Sequence, residues 1–155
     1  MELPAELLGT LVCRGQILHS DIFTDIDHAK FFVVIGVSSD SVAGFFYINS
    51  EINRFINNKD EQLLMQYPLF QDDYSFLSHD SYICATNIVK LPKSVIVESI
   101  ESKRTKVIDS LHPEHLEALL QKVRDSRLFS KKEKNEFFYW KMNGASFSWL
   151  RIWNR

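Results

Sequence analysis

The run Phe31-Phe32-Val33-Val34-Ile35-Gly36-Val37 constrains this chain more than any other segment. Its β-branched and aromatic residues favour a pleated strand, and its unbroken apolar character marks a central one. Ser38-Ser39-Asp40-Ser41 supplies turn chemistry, and Val42 to Ile48 follows as the next strand, so the two form a hairpin. Further strands are expected at Gln16-Ile17-Leu18-His19, at Tyr82 to Val89, and as a second hairpin of Val95 to Ile100 and Arg104 to Ile108 across Glu101-Ser102-Lys103. Gln62 to Leu69 suits strand or helix, with Pro68 opposing a helix that continues through it. Five or more short antiparallel strands between residues 15 and 110 predict a small barrel or sandwich.

Helical spacing appears at both ends. Residues 4 to 12 carry Leu7, Leu8, Leu11 and Val12 behind Pro4, and Glu51 to Asn58 suits a turn or two of helix. Pro113 opens a clear helix with Leu116, Leu119, Leu120 and Val123 on one stripe. Ser130 and Glu133 have the spacing of a capping box for another. Beyond it, Asn143-Gly144 has type I′ hairpin chemistry between aromatic-rich segments that hold Trp140, Trp149 and Trp153. The expected division is a barrel with its terminal helix over 1–128 and a helical, aromatic-rich extension over 129–155.

Apolar residues are 45 % of the chain and include 12 Phe, enough for an aromatic core. A formal net charge of -2 gives no global basic field of the kind that advertises nucleic acid, so any such binding must use a local patch. The acidic start Met1-Glu2-Leu3-Pro4-Ala5-Glu6 lacks the basic region of a signal peptide, and no apolar run approaches the ~20 residues of a membrane span. A cytoplasmic protein with no membrane contact is expected. Cys13 and Cys84 show no CxxC spacing and read as reduced, small, apolar side chains.

GxGxxG, Walker A, HExxH and GxSxG sequences are all missing. His112 and His115, three apart at a helix start, have a spacing that suits a metal, but with no third ligand at matching spacing they read as solvated cap residues. Neither a metal nor a cofactor is therefore expected. His79-Asp80 has the composition of a catalytic dyad; on extended backbone the two point apart, and a polar turn before a strand is the simpler reading.

The order of pieces resembles the MazF/PemK toxins, dimeric SH3-like barrels that cut single-stranded RNA. Gly15-Gln16-Ile17-Leu18 is similar to that family's opening glycine and first strand. Lys30-Phe31-Phe32-Val33-Val34-Ile35 stands where the family has Arg-Pro and an apolar strand, and Phe45-Phe46-Tyr47-Ile48-Asn49-Ser50 resembles its strand ending in Thr or Ser. Residues 81–94, Ser81 to Ser94, look like its strand, turn and short basic stretch, and Leu111 to Val123 like its terminal helix. The resemblance covers roughly residues 15 to 125, and order and spacing carry it rather than any one motif. It implies a small SH3-like antiparallel β-barrel with C-terminal helices, metal-independent endoribonuclease activity, a homodimer and an antitoxin partner. Lysine at position 30 departs from the family's arginine, giving a point charge without the bidentate fork. The segment between Ser50 and Ser81 is longer than the family's, and the tail lies outside the match.

RNA cleavage at a 2′-hydroxyl needs a base, a positive charge near the phosphorane and an acid for the leaving oxygen. If the central strands pair as a hairpin, Lys30, Ser50 and His28 meet at its open end, and these are the candidate catalytic residues. The plainer alternatives are a solvated strand-end lysine, a helix N-cap before Glu51 and a loop histidine. For RNA binding the candidates are Asn49, Arg54, Lys103 and Arg104, with Lys59, Lys90, Lys93 and Lys106 as further cations and Phe46, Tyr47 and Tyr74 as stacking rings or core. A non-catalytic protein-interaction module that keeps the barrel without the site is the rival function. The rings between Phe137 and Trp153 exceed what a hairpin buries alone, which points to packing on the barrel or on a second copy of the chain.

Overall fold

The structure, a computed structural model, describes residues 12–23, 28–52 and 60–139. The expected helices at 4–12 and 51–58, the Asn143-Gly144 turn and the tryptophans therefore fall largely or wholly outside the described residues. Strands β1 (Gln16–Ser20), β2 (Lys30–Val37) and β3 (Val42–Asn49) come first. Helix α1 (Asp60–Leu64), strand β4 (Gln66–Leu69), a 3-10 turn (Gln71–Asp73) and strands β5 (Ser81–Cys84) and β6 (Val89–Pro92) follow. Helix α2 (Lys93–Glu101), strand β7 (Thr105–Ser110) and helices α3 (Pro113–Asp125) and α4 (Lys131–Phe137) complete the described chain.

All strand pairs are antiparallel, and the sheet runs β4-β5-β3-β2-β1-β7 with β6 beside β3. The fold is thus mainly antiparallel sheet with a few helices, and its hydrogen-bonded path does not close among the described residues. The predicted β2–β3 hairpin forms, with Ser38 N donating to the Val42 carbonyl at its turn. The other edge of β3 serves two partners: Val42 to Phe45 pair with β6, while Ile48 and Asn49 pair with β5.

Both faces of the sheet are covered, which explains the unbroken apolar run of β2. Ile17, Val33, Ile35, Phe46 and Ile48 face a larger core closed by Leu116, Leu119, Leu120 and Val123 of α3 and by Phe129, Phe137 and Phe138. Leu18, Phe32, Val34, Ala43 and Phe45 face a smaller core with Phe23 and Ile96. The alternation within each strand is intact; it is hidden in the sequence because both faces are apolar.

The second hairpin expected at 95–108 does not form. Lys93 to Glu101 is helix α2, although its Val95, Ile96, Val97 and Ile100 favour strands. Tertiary contacts decide it. Ile96 is fully buried, and Ser99 Oγ donates to the Ile96 carbonyl at 2.7 Å while meeting Thr105 Oγ1 at 2.7 Å. Thr105 Oγ1 also meets Ser20 Oγ at 2.6 Å, so a buried hydroxyl chain fastens α2 to β7 and β1. Residues 82–89 likewise do not form one strand: a turn at residues 85–87 separates β5 from β6. The capping box of α4 is present, with Ser130 Oγ accepting from Glu133 N at 3.1 Å.

The far end of the β2–β3 hairpin is closed by α4. Gly36 and Gly44 are cross-strand partners, and a Cβ on Gly36 would lie 2.5 Å from the Phe137 carbonyl oxygen. On Gly44 it would lie 2.8 Å from the Phe137 ring. The paired glycines are the notch in which Phe137 sits. Arg14 holds the same segment: its Nε donates to the Ile35 carbonyl, and its Nη2 to the carbonyls of Phe137 and Tyr139. Burial, the nearby Arg124 and, in the opposite sense, Glu117 leave the Arg14 guanidinium with a pKa lowered to about 10.

Candidate functional site

The open end of the same hairpin carries a pocket. Lys30 begins β2 and Asn49 ends β3; Phe31 pairs with Ile48, so the strand ends sit side by side. The cavity measures about 180 Å³, and its lining includes His28, Lys30, Asn49 and Ser50 from the strand ends and Phe76, Ser78, His79 and Ser81 from the segment before and at the start of β5. It is smaller than the ~300 Å³ at which pockets begin to hold drug-sized ligands.

All three candidate catalytic residues, His28, Lys30 and Ser50, thus line one cavity. Lys30 Nζ donates to Asn49 Oδ1 and lies 5.6 Å from the centroid of the Tyr47 ring. Burial lowers the Lys30 pKa, with the neighbouring Cys84 acting in the opposite sense. The ammonium is therefore partly desolvated and fixed, the condition under which a cation acts strongly on an incoming anion. Ser50 and His28 are exposed at the rim.

His79 is the residue that sequence reasoning misses. It belongs to a polar turn, as expected, and it does not work with Asp80. Asp80 Oδ1 accepts from Gln71 N at 2.9 Å, while His79 Nδ1 meets Ser78 Oγ at 2.9 Å. The same turn places His79 in the lining of the pocket, with His28 and Lys30. No local spacing reveals this, because the β3–β5 pairing is what brings residue 79 to residues 28 and 30.

The RNA-binding candidates divide. Asn49 is in the pocket, Arg54 and Lys59 are outside the described residues, and Lys103 and Arg104 are in the turn between α2 and β7. That turn is at the same end of the sheet, since Thr105 pairs with Ser20 and Ser20 with Lys30. Two strand spacings, about 10 Å, separate the backbone there from Lys30. Lys103 is exposed and adopts a φ of 67°, whereas Arg104 is engaged by Asp21, with Nε 3.1 Å from Oδ1. Lys90 pairs with Glu133 at 3.4 Å.

Two of the three rings take the core alternative. Phe46 is fully buried and Tyr74 is 1 % exposed, so both are core; Tyr47, half-buried beneath Lys30, keeps a partly accessible face. Cys13 and Cys84 are free, yet Cys13 is exposed rather than packed as a small apolar residue. His112 and His115 do lie at the helix start, but they are not fully solvated. Both are half-buried, and their rings lie against Tyr74 at 4.4 and 5.7 Å between centroids.

No protein-family model matches this sequence, and no curated protein matches it either. Among the described residues, no helix is long and apolar enough to cross a membrane.

Proposed function

We propose that this protein is a metal-independent endoribonuclease acting on single-stranded RNA, a MazF/PemK-like toxin whose sheet belongs to the SH3-like barrel class. The observation that carries the reading is the convergence of Lys30, His28 and Ser50 in one pocket. Lys30 supplies positive charge for the phosphorane, Ser50 and Asn49 orient the phosphate, and His28 removes the 2′-hydroxyl proton. His79, in the same lining, protonates the leaving oxygen. Lys103, at the same end of the sheet, extends the cationic track along the strand. The reading includes a homodimer, an antitoxin partner and a cytoplasmic setting.

One observation favours the rival interaction module: the Lys30 ammonium already has Asn49 and the Tyr47 ring as partners, an arrangement that also serves purely as a structural tie. The two readings separate in one assay. Purified protein incubated with a panel of single-stranded RNAs in EDTA is expected to give fragments ending in 2′,3′-cyclic phosphate. Lys30→Ala combined with Ser50→Ala is expected to remove them, and a DNA panel is expected to remain intact. Absence of cleavage, or cleavage unchanged in the double variant, rejects the nuclease.

A further inference from the structure

A second polar cluster lies outside this pocket, where α3 begins. His112 is the N-cap of α3, and Glu114 and His115 lie in its first turn. One ligand atom from each of the three side chains falls within 4.8 Å of the other two. In tetrahedral zinc such atoms stand about 3.4 Å apart, from metal–ligand distances near 2.0–2.1 Å. Glu114 is exposed and His112 and His115 are half-buried.

The orientation of His115 is already fixed. Its Nδ1 is 2.7 Å from the Tyr74 hydroxyl, which also accepts from the backbone N of His112 at 3.0 Å. The tautomer that binds a metal is the one in which Nδ1–H donates to that oxygen, which leaves Nε2 with its lone pair. Metal-binding histidines are held in this way, by an acceptor on the ring nitrogen away from the ion. Tyr74 is 1 % exposed, so it is an immobile partner.

We infer that His112, Glu114 and His115 form a divalent-metal site, best suited to Zn²⁺, with Tyr74 positioning His115 and a fourth coordination place open to water. Two imidazoles and one carboxylate are a zinc donor set, whereas Mg²⁺ and Ca²⁺ prefer oxygen throughout. The Tyr74–His115 hydrogen bond ties the site to the Tyr74 segment, and Tyr74 contacts Phe76, which lines the pocket. The site does not rest on the nuclease reading.

Calorimetric titration of the full chain with Zn²⁺ in a non-chelating buffer tests this, with Co²⁺ absorption reporting coordination geometry. Binding of one ion per chain and a visible tetrahedral Co²⁺ band are expected. His112→Phe keeps a ring against Tyr74, and Glu114→Gln alters an exposed position, so both variants retain the fold by circular dichroism. Each is expected to weaken binding by at least about tenfold, and Tyr74→Phe by ~10–100-fold. No saturable binding at micromolar Zn²⁺ overturns the proposal, as does binding unchanged in both His112→Phe and Glu114→Gln.

Discussion

The two ends of the β2–β3 hairpin are made from the same strands and put to opposite uses. At the turn end, Gly36 and Gly44 remove side chains so that Phe137 can seat against bare backbone. At the open end, Lys30 and Asn49 replace apolar residues with polar ones, and the gap between strand ends and the 76–81 turn stays unfilled. One end is closed by packing that tolerates almost no added volume, and the other is kept open at the cost of desolvating an ammonium. Stability should therefore concentrate at the first end and chemistry at the second.

The largest test of that contrast is Phe137→Ala. Emptying a fully buried phenylalanine seat is expected to cost about 3–5 kcal/mol, read as a shift of the urea unfolding midpoint. A change below about 1 kcal/mol would mean that the notch is not the anchor described here. Next comes Gly36→Ala, whose Cβ meets a backbone carbonyl that cannot swing aside; a loss of ~1–3 kcal/mol is expected. Neither variant should alter the RNA ends produced by the protein that remains folded.

Alkaline unfolding gives a subtler test. Tyr74 has a folded pKa near 12 against 10.0 in the unfolded chain, so its contribution is full below pH 10 and is lost as the pH rises through 12. Arg14, lowered to about 10, acts in the opposite sense over the same window. Comparing Tyr74→Phe with the native chain cancels the Arg14 part. The variant is expected to lose less stability between pH 10 and 12, and parallel curves would remove Tyr74 from the account. The smallest stability change is expected for Lys30→Met, within about 1 kcal/mol, because a partly desolvated cation gives way to an apolar chain of similar length. The same substitution should abolish RNA cleavage. A large destabilisation with cleavage retained would reverse the proposed roles of the two ends.

The hairpin, α3 and the α4 capping box were legible because each is specified locally, by an apolar run with its turn, by a helical stripe and by a cap pair. Grouping His28, Lys30 and Ser50 followed from the resemblance in the order of pieces together with the hairpin. Helix α2 was not legible, since Val95, Ile96, Val97 and Ile100 carry strand propensity and the deciding contacts of Ser99 and Thr105 are buried and tertiary. His79 was hidden for a related reason: its place depends on β5 docking beside β3. Tyr74 is the clearest case. Its sequence neighbourhood suggests a loop aromatic, whereas its hydroxyl is held by α3, 38 residues further on.

Arg14 links the carbonyls of Ile35 and Phe137, the second of which is 123 residues downstream. During synthesis at ~5–20 residues per second, residue 137 follows residue 14 by roughly 6 to 25 s. For that interval the strands can pair while the glycine notch stands uncovered, with bare backbone and apolar side chains open to the cell. Closure of the glycine notch therefore waits for α4, the last of the described elements to be synthesised.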